Sequence, residues 1–199
     1  MRYRSFVVTV MAGMLLLGAC RNEPPPPPAP TGPTEEELAQ RRADSIARVR
    51  AEEEARRRAE EEARAAEARR RAVEAAQNTL RQTVYFDYDM SEIRPDAERV
   101  LQQKVAILRN SPQVRMQIEG HADERGSNEY NLALGNRRAQ AVVDFFVNFG
   151  LDANRFSIIS YGEERPAAMG HDEAAWSQNR RAEFNITAGM NDINPGNTP

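Results

Sequence analysis

The chain of 199 residues contains one cysteine, Cys20, and two histidines, His121 and His171. A lone cysteine excludes an internal disulfide, and in an exported protein an odd cysteine calls for its own explanation. Both histidines lie in glycine-flanked turns, Gly120-His121 and Gly170-His171, where an imidazole more often serves a backbone group. Two such residues argue against a zinc centre, which wants several imidazole or thiolate ligands in a tight constellation. Basic excess is also missing: the net charge is -3, and residues 80–188 hold 13 Lys+Arg against 16 Asp+Glu. A nucleic-acid partner is therefore not expected. No G-x-S-x-G elbow surrounds Ser127, Ser160 or Ser177, and nothing in the spacing of the many carboxylates selects a pair for glycoside cleavage. After the first residues there is no second long apolar run, so the mature chain is not expected to span a membrane.

What is present begins with an export address. Arg2 and Arg4 precede an apolar run from Phe6 to Leu17, too short to cross a bilayer and flanked like a secretory signal. It ends in Leu17-Gly18-Ala19-Cys20, which resembles the lipobox of bacterial lipoproteins and makes Cys20 the expected lipidation site and mature N-terminus. Two or more acyl chains hold a protein on a membrane where one holds it only marginally. Arg21 stands where many lipoproteins retained at the inner membrane carry Asp; the resemblance thus implies the outer membrane, with the chain facing the periplasm.

Composition divides the remainder. Residues 1–19 are read as signal peptide and 20–33 as lipidated N-terminus and linker, whose Pro24 to Pro28 run favours extended polyproline II. From residue 34 to 78 there is no Gly or Pro, and Ala, Glu and Arg predominate. Thr34 with Glu37 has capping-box spacing, and Glu-to-Arg pairs recur at i,i+4, as in Glu67/Arg71. The segment is predicted as a helical stalk of roughly 68 Å at 1.5 Å per residue. Beyond alanine its apolar residues are Leu38, Ile46, Val49 and Val73, which keep no heptad, so a solvated helix is favoured over a coiled coil.

Residues 79–188 are predicted to form one compact domain, with 189–199 a disordered tail. "VYFDY" (84–88) reads as a strand, and Pro95 opens a helix with the apolar stripe Ala97, Leu101, Val105 and Leu108. Val114, Met116 and Ile118 alternate into a second strand; a helix runs from Asn128 to Phe149 and is closed by Gly150. Phe156 to Ser160 and Ala182 to Ile186 alternate again, with a short helix near Ala174–Gln178 between them. The expected fold class is α+β, a two-layer β-α-β-α-β-(α)-β sandwich with helices on one face of the sheet. On the long helix, Leu132, Gly135, Ala139, Val142, Val143, Phe146 and Phe149 share the predicted buried sector. Arg138 falls on its flank, between core and water, and Arg137 points into solvent. Asn131, one turn in, is placed to tie down the preceding loop.

"VYFDYDMSEIRP", "GHADERGSNEYNLALGNRRAQAV", "ISYGEERP" and "GHDEAAWSQNRRAEF" together resemble the peptidoglycan-binding domain of the OmpA C-terminal family, and with the upstream lipobox they are similar to its lipoprotein members. The likeness covers roughly residues 83–186. It implies the OmpA-like fold, no enzymatic activity, no cofactor or metal, and a ligand in the stem peptide of peptidoglycan, namely its diaminopimelate residue. That headgroup carries an ammonium and a carboxylate on one carbon. The resemblance assigns the acid to Asp123 and the arginine to Arg138, with Phe86, Asp87, Leu134, Asn179 and Arg180 lining the pocket. It further implies a place in the Tol envelope system, with TolB as a partner, in division and envelope integrity. Spacing alone leaves open a simple Asp123–Arg138 ion pair. Two other functions also stay open: a wall-binding lipoprotein outside the Tol system, and a metal-dependent wall hydrolase built on His121 and His171. The long charged helix departs from the short linkers usual in the lipoprotein members.

Overall fold

The computed structural model describes residues 32–196. The signal peptide, Cys20 and most of the proline-rich linker lie outside these residues. No helix among the described residues is long and apolar enough to cross a membrane.

The first helix, α1, runs from Glu35 to Arg81. Its start has the predicted reciprocal cap: Thr34 N donates to Glu37 Oε2 at 3.0 Å, and Glu37 N donates to Thr34 Oγ1 at 3.3 Å. In the portion up to Glu54, Leu38, Ile46 and Val49 are exposed, as expected of a helix whose apolar residues form no seam.

From Ala55 onward the chain forms the folded unit. The last turns of α1 belong to it: Ala76 and Leu80 are in the hydrophobic core and Val73 packs against it. This corrects the expected boundary at residue 78, because the helix continues to Arg81 and its end is a core element. Lys104 makes that possible. Its Nζ donates to the carbonyls of Thr79, Leu80 and Gln82 at 2.9, 2.7 and 2.7 Å, taking the place of the partners that a helix C-terminus lacks. The ammonium also sits 3.6 Å above the centroid of the Phe184 ring. Burial pushes its pKa down to about 6, while three carbonyls within hydrogen-bonding distance favour the charged form.

Four strands follow in the sheet order β1-β4-β2-β3: β1 Val84–Tyr85, β2 Arg115–His121, β3 Phe156–Gly162 and β4 Arg181–Ala188. β2 pairs parallel with β3 and antiparallel with β4. The helices between them are α2 (Pro95–Asn110), α3 (Asn128–Asn148) and α4 (Glu173–Asn179). The predicted α+β order thus stands. β1 is two residues long rather than five, because after Tyr85 the chain turns away to line the site described below.

Met116 and Ile118 on β2 and Phe184 on β4 point into the core with Leu101, Val105 and Leu108 of α2 and Phe146 of α3. Each such fully buried side chain contributes about 2 kcal/mol of transfer free energy. α3 approaches β2 so closely that a Cβ on Gly120 would lie 1.8 Å from Gly135 O; only glycine fits on both sides. The buried stripe of α3 is Asn131, Leu134, Gly135, Arg138, Ala139, Val142, Val143 and Phe146. Relative to the predicted sector it is rotated toward Leu134 and Arg138: Leu132 is half-buried and Phe149 is exposed. Nor is the C-terminal segment loose where it is described, since Ile193 joins the core and Asn194 N donates to Ser111 Oγ at 2.9 Å. The expectation of disorder from residue 189 fails there, because Ile193 adds apolar surface that the core absorbs.

Candidate functional site

A cavity of about 110 Å³ opens where the β1–α2 loop, the β2–α3 turn and the first turns of α3 meet; Tyr88, Asp89, Asp123, Arg125, Gly126, Tyr130, Asn131, Leu134 and Arg138 line it. Whole small-molecule sites are several times larger, so the cavity is sized for the end of a ligand.

Two oppositely charged groups stand at its wall, Asp123 and Arg138, and they are not bonded to each other. Asp123 is buried. Arg125 grips it in a fork, Nε to Oδ1 at 3.0 Å and Nη2 to Oδ2 at 2.7 Å, and the Arg125 backbone N–H adds a bond of 3.1 Å to Oδ1. Arg180 Nη1 reaches Oδ2 at 3.4 Å. Burial by itself raises the Asp123 pKa, but the hydrogen bonds from Arg125 and Arg180 outweigh it and hold the carboxyl below its ordinary value.

Arg138 is fully buried, not poised at the edge of the core as the helical wheel suggested. Its Nε, Nη1 and Nη2 donate to the carbonyls of Met90, His121 and Asp87 at 2.9, 2.7 and 3.0 Å. The physical reason lies elsewhere in the sequence: the β1–α2 loop folds over α3 and turns the carbonyls of Asp87 and Met90 toward the guanidinium, and the end of β2 adds that of His121. Two of its five N–H donors are left beyond these bonds. Burial lowers its pKa to about 10, with Asp123 pulling the other way and Arg180 lowering it further; it stays protonated. Arg137 is exposed, as predicted, and lies over the Tyr130 ring at 5.5 Å.

Of the other predicted lining residues, Leu134 is in place. Phe86 is not: it is wholly buried in the core, 5.3 Å beneath the Arg138 guanidinium. Asp87 turns its side chain to Arg94, at 3.2 Å, and offers only its carbonyl to Arg138. Asn179 ties the loop before α4 by accepting from Ala167 N and Ala168 N and donating to Ala168 O. Arg180 stands behind Asp123 and bonds Glu173 Oε1 at 2.5 Å. These four support the cavity from outside its lining.

The sequence reading missed Arg125, though it adjoins Glu124 in the same motif. Its guanidinium is sandwiched between the rings of Tyr88 and Trp176, 3.9 and 4.0 Å from their centroids. No local pattern announces this, because Trp176 arrives from α4. It also missed Tyr130, whose hydroxyl donates to Asp89. Asn131 does tie down its loop, donating to Arg125 O at 3.3 Å and to Glu163 Oε2 at 2.5 Å.

The histidines part company. His171 is exposed and pairs with Glu124 at 2.6 Å, and this contact raises its pKa. His121 is buried and stacks on Tyr161. Contrary to expectation, neither of its ring nitrogens has a hydrogen-bond partner among the described residues. The envisaged His121/His171 centre is not assembled, since each imidazole faces different carboxylates.

With this geometry in hand, the likenesses to known proteins carry weight. The model of the OmpA family matches residues 85–180. The peptidoglycan-associated lipoprotein of Pseudomonas aeruginosa is 50% identical over 102 residues, 51% of this chain and 60% of that protein. Its counterpart in Brucella melitensis is 52% identical over 99 residues, 50% of this chain and 59% of that protein. The chain thus spans about three fifths of the length of these curated relatives. The crystal structure of the peptidoglycan-associated lipoprotein from Burkholderia pseudomallei is 42% identical with a TM-score of 0.52, the match covering 53% of this chain and 90% of that one. The C-terminal domain of Helicobacter pylori MotB, 21% identical with a TM-score of 0.51, covering 56% of this chain and 88% of that one, shares the fold.

Proposed function

Because this chain belongs to the peptidoglycan-associated lipoproteins of the OmpA family, we propose that its folded domain binds peptidoglycan noncovalently, through the diaminopimelate of the stem peptide. The observation that carries this reading is the cavity lined by both Asp123 and Arg138, which are not bonded to each other: Arg125 holds the acid and backbone carbonyls hold the arginine. A ligand ammonium takes the Asp123 carboxylate in competition with Arg125, and the ligand carboxylate meets the guanidinium donors that Arg138 and a displaced Arg125 then offer. Buried charges on a fixed scaffold lower the ordering cost of recognising such a zwitterion, leaving the displacement of Arg125 as the rearrangement that binding requires.

The role is one of holding, not of catalysis. Lipidated at Cys20 and seated in the outer membrane, the protein tethers that membrane to the wall from the periplasmic side. We place it in the Tol-Pal system, with TolB as a partner, acting in division and envelope integrity; membership of the lipoprotein branch supports this.

Co-sedimentation with purified sacculi tests the wall-binding reading. The parent protein is expected in the pellet and Asp123→Asn in the supernatant; equal pelleting of both sinks the site. Pull-down with TolB separates a Tol-Pal role from wall binding outside that system.

A further inference from the structure

The face of the sheet turned away from α3 carries a second cluster that wall binding does not use. On β2, Gly120 meets α3, so Glu119 points to the opposite face. Glu183 of β4 is its cross-strand partner. His121, two residues beyond Glu119 on β2, points to the same face, and the β2–β3 register shift after Gly120 leaves Tyr161 as the extra residue on β3 beside it. One ligand atom from each of Glu119, His121 and Glu183 lies within 4.8 Å of the other two.

We propose that Glu119, His121 and Glu183 form a binding site for a divalent transition-metal cation, with Zn2+ the best match to one imidazole and two carboxylates. His121 carries the argument. It is 1% exposed, and neither ring nitrogen has a hydrogen-bond partner among the described residues. A buried polar atom in that condition calls for an explanation, and a cation accepts the nitrogen lone pair.

The carboxylates are already oriented. Asn185 Nδ2 donates to Glu119 Oε1 at 2.7 Å, and Arg181 Nε donates to Glu183 Oε1 at 2.5 Å. In both, the second oxygen remains for a metal, and the donors act as the outer partners that fix metal-binding carboxylates. Donors around a tetrahedral ion lie about 3.4 Å apart at metal–ligand distances near 2.1 Å, so the three groups, now within 4.8 Å of one another, draw together when an ion enters. Two positive groups oppose the ion: Arg181, and Arg165, whose guanidinium lies 3.6 Å over the Tyr161 ring on which His121 stacks.

The test is calorimetric titration of ZnCl2 into the full chain, with thermal unfolding alongside, every sample carrying Cys20→Ser so that no thiol competes. Saturable binding of one ion is expected, with an unfolding temperature several degrees higher in excess metal. His121→Phe keeps the stack on Tyr161 and removes both nitrogens; it should be at least as stable as the parent without zinc and lose both responses. Glu183→Gln, half-exposed and easily accommodated, should weaken binding about tenfold or more, and decides the matter if His121→Phe does not fold. Arg165→Gln should bind more tightly, since an opposing charge is gone. His171→Ala should bind like the parent. Absence of saturable binding in the parent, undiminished binding in His121→Phe or Glu183→Gln, or its loss in His171→Ala overturns the proposal. Sacculus binding is read separately, so the two sites fail independently.

Discussion

Arg125 holds Asp123 in a two-bond fork, Nη2 to Oδ2 at 2.7 Å and Nε to Oδ1 at 3.0 Å, at the edge of the cavity that Arg138 also lines. The carboxylate proposed to receive the ligand is thus already satisfied by a neighbour two residues along. Ligand binding must exchange one cation for another rather than fill an unpaired acid.

Asp123→Asn follows from this directly. It preserves shape but removes the charge that Arg125 and Arg180 share, so sacculus binding should be lost while the domain stays folded, at a cost of about 2 kcal/mol. Urea unfolding beside the sedimentation assay checks both halves.

Arg138 demands a different expectation. Its three carbonyl bonds pin the β1–α2 loop to the end of β2, so Arg138→Ala should lose wall binding and also about 3 kcal/mol or more of stability. Arg137→Ala, changing an exposed side chain one position away, should bind within about twofold of the parent and unfold within about 0.5 kcal/mol of it.

Asp123 also makes an acid-sensitivity prediction. Its pKa is lower in the folded protein than the ordinary carboxyl value, so the unfolded chain takes up this proton first as pH falls. The stability it contributes is complete above about pH 4 and is lost as the pH drops through the folded value. Unfolding measured at pH 5 and again in stronger acid should show a smaller loss for Asp123→Asn than for the parent. An equal loss would mean that the Arg125 fork is not maintained in solution.

The contact between α3 and β2 is a steric prediction. A Cβ on Gly120 meets Gly135 O at 1.8 Å, and one on Gly135 meets Ser160 Oγ at 2.3 Å. Gly120→Ala has only backbone to displace and should cost about 3 kcal/mol or more. Gly135→Ala meets Ser160 Oγ first and overlaps backbone less severely, at 2.7 Å from Gly120 O, and should cost less. Thermal unfolding of the two variants gives the order.

Lys104→Met should cost about 3 kcal/mol, because the carbonyls of Thr79, Leu80 and Gln82 lose their common donor. Hydrogen exchange should quicken first in the last turns of α1, where Ala76 and Leu80 enter the core. Uniform loss of protection across the domain would instead show that the cap stabilises the whole core equally.

Much of this was legible in the sequence because it is local. Thr34 and Glu37 form their reciprocal cap as spaced, Pro95 opens α2, and period-two and period-3.6 apolar patterns located the strands and helices. A helical wheel also separated exposed Arg137 from its neighbour.

What it hid was non-local. Arg138 went from the flank of a helix to the interior because a loop some fifty residues earlier in the chain supplies carbonyls. Phe86 and Asp87 left the expected lining because β1 ends after two residues. Lys104 and Ile193 became core residues because an unpaired helix end and spare apolar surface were waiting for them. Periodicity records which side of its own element a residue occupies. Burial, charge pairing and the walls of a cavity depend on what the rest of the chain brings to that side, and only the packed structure decides it.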